Sequence, residues 1–239
     1  DVEDRLLASF GSIFGQEDHD ARLATLLDNG DVVSAQRTLA FASGPMRPFH
    51  EARIALQTQA PDAMSRVNAL GAAANGHAGL LMDRANWLRD TSQSLAARAL
   101  LAQPRTLATR PADVEKYYET LLTMAKSAAN DRQWTTAYQI ASQIDGAYPA
   151  GTDVSVQEYG ERDDYTSLAW LAGTTAFYEL NRPADAMGMF ERYARAARSP
   201  CWPAPCPSAG SPPPPRSTAG AGSSRGGPPS PGSSPGPWS

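Results

Sequence analysis

The sequence predicts an all-α fold for residues 1–200, arranged as an irregular α-solenoid of helix pairs, followed by a disordered tail over residues 201–239. Apolar residues recur three and four positions apart through most of the first part, which is typical of helices with one buried face. Gly, Pro and Asn residues interrupt this pattern at intervals, as they do between helices. No stretch alternates apolar and polar residues for long enough to make a convincing strand. We therefore expect two parts, an α-superhelical domain over 1–200 and the tail.

The helices predicted before residue 105 are short, and turn residues separate them. Leu23 and Leu27 lie on one helical stripe, which Gly30 ends as a C-terminal glycine, and Asp31 can cap the helix that follows. Proline residues bound the next helical segment, and a polar turn over 90–92 divides the pair after it. The predicted helices in this part span residues 20–27, 32–42, 49–59, 84–89 and 94–102.

The helices predicted after residue 105 are longer. Asp113 can cap the first of them, and the polar turn 130–132 separates it from its partner. The stretch 145–164 is rich in Gly and is predicted to be mainly a loop. The predicted helices in this part span residues 114–129, 134–144, 165–180 and 186–197.

The predicted pairs share a small residue at a matching place in the second helix. A small residue lets two helices approach closely, and the residue one turn later fills the groove beside it. The unequal spacing of these positions favours a degenerate solenoid over a regular array, and the last pair comes closest to the tetratricopeptide pattern, with Trp170, Gly173 and Phe177 near the expected offsets. The matched positions are Ala35, Ala96, Ala137 and Ala186, with Leu39, Leu100, Ala141 and Phe190 one turn later.

The composition excludes several classes of function. The formal net charge is −4, so no basic surface of the kind that binds nucleic acid is expected. No run of about 18 apolar residues occurs, so no transmembrane segment is expected. Residues 1–200 contain no Cys, which excludes disulfides and Cys-based zinc sites from the predicted domain. We expect neither a metal nor a cofactor.

The tail has an unusual amino-acid composition. Residues 201–239 use only Cys, Trp, Pro, Ala, Ser, Gly, Arg and Thr, and every one of these has G or C at the second codon position in the standard code. A GC-rich gene read one frame off produces this bias, because its third codon positions then become second positions. We therefore hypothesise that the true protein ends near Pro200 and that the tail is out of frame. The alternative is a natural disordered linker of Pro, Gly and Ser.

A Trp-Leu-Ala-Gly element at 170–173 is followed by Ala186, Phe190 and the Ser-Pro step at 199–200. Together with several other segments in the correct order, these residues resemble the helical N-terminal domain of soluble lytic murein transglycosylases. The similarity rests on many weak positions rather than on one decisive motif. The other matching segments are 22–27, 35–39, 52–56, 79–89 and 131–141.

The resemblance implies a periplasmic location, peptidoglycan strands as the partner and a role as a scaffold. Enzymes of this family cleave the MurNAc–GlcNAc bond of peptidoglycan and leave a 1,6-anhydro product, with a Glu as acid and then base in a catalytic domain that follows the helical one. That Glu lies in a Glu-Ser pair, and this sequence contains no such dipeptide; residues 78–82 only echo a second family motif. No catalytic residue is therefore carried over. The resemblance implies a superhelical scaffold that positions glycan strands, truncated here before the catalytic domain and inactive alone.

A second class of function stays open, a helical-repeat module for protein–protein interaction with no enzymatic role. The two classes of function can be distinguished by the downstream DNA, read in the corrected frame. A lysozyme-like domain there would support the first class, and a stop codon would support the second.

The aromatic residues carry the main ambiguity about binding. Trp87, Trp134 and Trp170 each lie beside apolar residues on a predicted helix, which favours packing between helices; the alternative is a platform on which sugars stack. Tyr117 and Tyr118 are adjacent, so the sequence predicts that only one of them faces the core. The other is the candidate for glycan contact.

The remaining polar candidates point to local structure. His19, His50 and His77 are far apart and lack ligand spacing, so we expect them to be surface or capping residues. Glu161 with 163–164 is interpreted as an acidic helix start, in preference to a metal site.

Overall fold

The computed structural model describes residues 14–197, and the regular elements in this part of the chain are all helices. The all-α prediction is confirmed for these residues. The tail predicted over 201–239 and the boundary at residue 200 lie outside them. None of the helices described is both long and apolar enough to cross a membrane. The α-helices are α1 (Gln16–Asp28), α2 (Val32–Thr38), α3 (Arg47–Gln57), α4 (Ala63–Ala69), α5 (Ala78–Asp90), α6 (Ser94–Ala102), α7 (Val114–Asn130), α8 (Trp134–Ala141), α9 (Tyr159–Thr174) and α10 (Pro183–Ala196).

The helices form five consecutive pairs, α1–α2 to α9–α10, and each pair packs on its neighbours in the chain. The first helices stack in series, with α1 on α3, α3 on α5, α5 on α7 and α7 on α9. The second helices α6 and α8 also touch. Packing of each pair mainly on its neighbours is typical of a solenoid, so the predicted irregular α-solenoid of helix pairs is confirmed. The end of α1 also reaches α5 and the start of α7.

The repeated element is a turn geometry rather than a residue type. Within each pair the turn contains one residue with positive φ. In the third pair, for example, the N–H of Ser92 donates to Arg89 O at 3.0 Å and the N–H of Gln93 to Leu88 O at 2.7 Å, which is the Schellman arrangement that ends a helix. The first, second and fourth pairs repeat this bond pattern. The positive-φ residues are Gly30, Gln59, Ser92, Arg132 and Asn181.

Three parts of the helix prediction are wrong. The prediction missed α4 completely, and it began α5 at residue 84 rather than 78. His77 starts α5, because its Nδ1 accepts the N–H of Leu80 at 3.2 Å and so satisfies a donor of the first turn. The stretch predicted as a loop over 145–164 becomes helical from Tyr159 onwards.

The matched small residues are buried in three of the four pairs. Ala35, Ala137 and Ala186 are at most 1% exposed, whereas Ala96 lies on the exposed side of α6 and its neighbour Ala97 is the buried residue. The prediction is therefore wrong by one position in the third pair. The position was predicted from the turn alone, and the turn does not determine which face of a short helix packs against the core.

The last pair shows the close approach that its tetratricopeptide-like positions predict. A Cβ on Gly173 would lie 2.6 Å from Cε1 of Phe190, a distance that side-chain atoms do not tolerate. The absence of a side chain at Gly173 therefore lets α9 and α10 pack closely through the Phe190 ring. Beyond Thr174 the helix widens into a π-helical segment, Thr175–Glu179.

Candidate functional site

The structure corrects the prediction about the two adjacent tyrosines. Tyr117 and Tyr118 are 1% and 0% exposed, so the expectation that one of them faces solvent is wrong. Helix α7 packs against α5, α6, α8 and α9, and neighbouring positions 100° apart on it can both be covered. The Tyr118 hydroxyl donates to Ile144 O at 2.9 Å, and the Tyr117 hydroxyl accepts from Arg105. The side chain of Tyr118 has no exposed surface, whereas Tyr117 lines a polar groove of about 300 Å³.

The tryptophans among residues 14–197 divide into two kinds. Trp87 and Trp134 are half-buried, and Trp87 packs against the core, as the packing interpretation predicts. Trp170 is 52% exposed, although its ring also contacts Phe190 and Tyr193, with centroid distances of 5.5 and 5.3 Å. Of these three tryptophans, Trp170 is therefore the most exposed.

The histidines lie inside the fold. His19, His50 and His77 are at most 8% exposed, so the surface interpretation is wrong for all three, and the capping interpretation is confirmed for His77. Over residues 14–197 no group of three or more His, Cys, Asp and Glu side chains is placed to hold a metal ion. Glu161 lies in the first turn of α9, as an acidic helix start predicts, and accepts a hydrogen bond from Tyr148. The prediction is wrong for Asp163 and Asp164, because α9 begins at Tyr159 and both residues lie beyond its first turn.

A polar groove runs across the first helices of four consecutive pairs, and we call it the first-helix groove. It has a volume of about 300 Å³ and is open to solvent on one side. Its walls come from the end of α1, from α3, from α5 and from the start and middle of α7. No single segment of the sequence could have indicated it, because the lining residues are distributed from Asp28 to Thr123.

The floor of the groove is a buried ion-pair network centred on Arg53. This side chain is 1% exposed; its Nε donates to Asp83 Oδ2 at 2.6 Å and its Nη2 to Asp28 Oδ1 at 2.5 Å. Gln57 Nε2 donates to the other oxygen of Asp83 at 2.9 Å. Burial alone would lower the pKa of Arg53, but the two carboxylates outweigh it and raise that pKa. The guanidinium therefore stays charged.

The guanidinium of Arg53 lies directly against the backbone of α5 at Gly79. A Cβ on Gly79 would lie 2.5 Å from Arg53 Nη1 and 2.6 Å from its Cζ. Any side chain at this position would push the guanidinium away from its two partners. Gly79, which the sequence analysis treated as an echo of a family motif, therefore has a structural role in the floor of the groove.

Asp28 connects this floor to the fourth pair. Its Oδ2 accepts the backbone N–H groups of Ala112 and Asp113 at 3.1 and 2.9 Å. Lys116 Nζ donates to the carbonyl of Asp28 at 2.9 Å and to Asn29 Oδ1 at 3.0 Å. The end of α1 and the beginning of α7 are thus held together by four hydrogen bonds, and the network fixes the spacing of the groove walls.

The walls carry polar groups that have no hydrogen-bond partner within residues 14–197. Asn86 on α5 and Glu119 and Thr123 on α7 line the groove without such a bond. Arg89 pairs only with its exposed neighbour Asp90, at 3.0 Å, which is a weak pair in water. The groove therefore offers an amide, a carboxylate, a guanidinium and a hydroxyl to a ligand.

No protein-family model, curated protein or solved structure matches the chain.

The stability of the fold should depend on pH through His77, the buried residue that caps α5. Burial, with the nearby charges of Arg53 and His50, lowers the pKa of His77 from 6.5 to about 4. The unfolded chain therefore binds more protons than the folded one between these values, and stability is lost as the pH falls through this window. We expect the free energy of unfolding to fall by about 2 kcal/mol from pH 7 to pH 5, as measured by urea denaturation.

His77→Asn should remove much of this slope, since Asn can still cap α5 but does not titrate. Equal slopes for this variant and the unchanged protein would contradict the assignment to His77.

Proposed function

We propose that residues 14–197 act as a glycan-binding scaffold of the kind found in soluble lytic transglycosylases, and that a peptidoglycan strand lies in the first-helix groove. The observation that carries this proposal is the open groove itself, which crosses four consecutive pairs and presents the unpaired groups of Asn86, Glu119 and Thr123. The amide and the hydroxyl can both donate to and accept from the hydroxyl and acetamido groups of a glycan, and the carboxylate can accept from them. The resemblance of the sequence to the family's helical domain supports the same conclusion.

The charge of the groove also suits a ligand of this kind. Arg53 is balanced by Asp28 and Asp83, and Lys116 lies 3.7 Å from Asp113. Because acidic and basic groups both line the groove, there is no dominant field of one sign that would select a highly charged polymer. A strand whose groups are mostly neutral hydroxyls and acetamides fits this balance better than a densely charged polyanion does.

The proposed role is binding and positioning. Cleavage in the family depends on the Glu of a Glu-Ser pair, which the sequence lacks; the unpaired groove carboxylate Glu119 is followed by Thr120. We propose a periplasmic location for the scaffold, where peptidoglycan is accessible.

The test is binding of the full chain to purified sacculi and to soluble glycan strands free of peptide. Asn86→Ala combined with Glu119→Ala should weaken binding about thirtyfold, because each of the two lost hydrogen bonds contributes about 1 kcal/mol. Gln139→Ala combined with Glu158→Ala is the matched control, since it removes one exposed amide and one exposed carboxylate outside the groove. Equal binding by the groove variant and the control variant would overturn the proposal, as would no binding by the unchanged chain.

A helical-repeat interaction module without enzymatic role is the second candidate. The observation that favours it is an apolar face on the last pair, with Phe177 and Met187 exposed beside the half-buried Phe190.

A further inference from the structure

A second open pocket lies on the second helices of the third and fourth pairs, and we call it the α8 pocket. It is bounded by α6, by the turn before α8 and the first residues of α8, and by Leu180 before α10, and it has a volume of about 510 Å³. This volume is within the range of small-molecule sites. The α8 pocket shares no lining residue with the first-helix groove, so a ligand there is separate from the proposed glycan.

The charged residues that line the α8 pocket are both basic. They are Arg98 on α6 and Arg132 in the turn before α8, whereas acidic and basic residues both line the first-helix groove. Arg132 is exposed and makes no ion pair within residues 14–197. Asp131 neutralises part of the charge, since its Oδ2 accepts from Arg98 Nη1 at 2.6 Å, but its side chain is 56% exposed. The lining of the pocket therefore has an excess of positive charge.

The buried guanidinium of Arg98 is incompletely satisfied. Its side chain is 7% exposed, and its two Nη atoms donate to Asp131, Gln133 and Ser127. Its buried Nε has no hydrogen-bond acceptor within residues 14–197. Arg53, in contrast, has both its Nε and its Nη2 on carboxylates. Because a buried charge is costly unless it is balanced, a further anion near Arg98 would stabilise it.

The beginning of α8 supplies hydrogen-bond donors to the same pocket. The side chain of the N-cap residue, Gln133, does not cap the helix. The first three N–H groups of α8, those of residues 134–136, have no acceptor within the described part of the chain. The hydroxyl groups of Thr135 and Thr136 make no hydrogen bond there either. Unpaired N–H groups and the helix dipole both favour an anion at this end of a helix.

The number of donors favours a phosphate group over a carboxylate. Three N–H groups, two hydroxyl groups and the guanidinium of Arg132 are available to an anion in the pocket. A carboxylate has two oxygens, whereas the phosphate of a monoester has three strong acceptor oxygens and a charge of about −1.5 to −2 at neutral pH. The phosphate therefore uses more of these donors and balances more of the positive charge.

The rest of the wall is apolar. Leu95 is 65% exposed, and Ala99 and Leu180 also line the pocket. A bare phosphate ion would leave these side chains in water, whereas a ligand with an attached apolar group would cover them. We propose that the α8 pocket binds a small organic phosphate, with its phosphate against the two arginines and the start of α8, and its apolar group against Leu95 and Leu180.

The experiment is isothermal titration calorimetry of the full chain with phenyl phosphate, in a buffer without phosphate. Inorganic phosphate lacks the apolar group and should bind at least about fivefold more weakly. Benzoate keeps the ring but carries a carboxylate, and it should bind at least about tenfold more weakly. In nuclear magnetic resonance spectra, the amide signals of residues 134–136 should shift when phenyl phosphate is added.

Two variants remove donors from the pocket. Arg132→Asn removes one charge at a position with a φ of 58°, which Asn tolerates, and Thr135→Val with Thr136→Val removes both hydroxyl groups. Each should weaken the binding of phenyl phosphate at least about tenfold. Arg37→Gln is the matched control, because Arg37 is exposed on another second helix, α2, outside the pocket. Circular dichroism checks that all three variants fold.

Three results would overturn the proposal. The first is no binding of phenyl phosphate at millimolar concentration. The second is binding of benzoate or inorganic phosphate as tight as that of phenyl phosphate, because the pocket would then select neither the phosphate nor the apolar group. The third is an equal loss of affinity in Arg132→Asn and Arg37→Gln, because net charge alone would then govern binding.

Discussion

Replacing Arg53 with Met is expected to lower the free energy of unfolding by about 3–5 kcal/mol. The substitution keeps much of the volume of the side chain but leaves Asp28 and Asp83 without their shared cation. Asp28 and Asp83 are 9% and 11% exposed, so water cannot easily replace the guanidinium. Urea denaturation followed by circular dichroism measures the loss.

Arg66→Met is the matched control for this experiment. Arg66 also faces two carboxylates, Asp62 at 2.7 Å and Glu51 at 3.5 Å, but its side chain is 45% exposed. Exposed pairs of this kind contribute under about 1 kcal/mol. If the two substitutions lower the free energy of unfolding equally, burial does not make the ion pairs of Arg53 stronger than exposed ones.

The fold class could be predicted from the sequence because its signals are local. The stripe of Leu23 and Leu27, the cap at Asp113 and the turn at Gly30 each act within one helix, and the structure contains all three. The prediction failed at the seven-residue α4, which is too short to show a clear period. It also failed at the start of α5, because the glycines within residues 75–79 are typical of a loop.

The groove was not predicted, because its parts are distant in the sequence. Arg53 bonds to Asp28 and Asp83 across 25 and 30 residues, and no pattern within one helix connects them. One signal was available, namely that Arg53 interrupts the apolar run of residues 52–56. A charged residue on a helix face that is otherwise apolar is rarely buried without a partner, so a search for two carboxylates could have followed.

The error at Tyr117 and Tyr118 has a different cause. The prediction assumed that a helix has one buried face, which holds at the edge of a domain. Helix α7 lies inside the stack and contacts helices of the third, fourth and fifth pairs. A wide arc of its surface is therefore covered, and the number of neighbours of a helix cannot be read from its own sequence.

The second large effect is expected at the glycine that faces Arg53. Gly79→Ala should lower the free energy of unfolding by about 2–4 kcal/mol, because the new Cβ overlaps the guanidinium and forces it out of its ion pairs. Gly44→Ala is the control, since an added Cβ there meets no atom within 4 Å, and it should change stability by under about 0.5 kcal/mol. Both are measured by urea denaturation.

A double-mutant cycle then tests whether the cost at Gly79 comes from Arg53 or from the α5 backbone. In the Arg53→Met background the guanidinium is gone, and a flexible thioether chain can move aside more cheaply than a charged group held by two carboxylates. The cost of Gly79→Ala should then fall to under about 1 kcal/mol, which gives a coupling energy of about 2 kcal/mol between the two positions. Additive costs would mean that the Cβ clashes with something other than the guanidinium, and that the ion-pair network does not explain why position 79 is glycine.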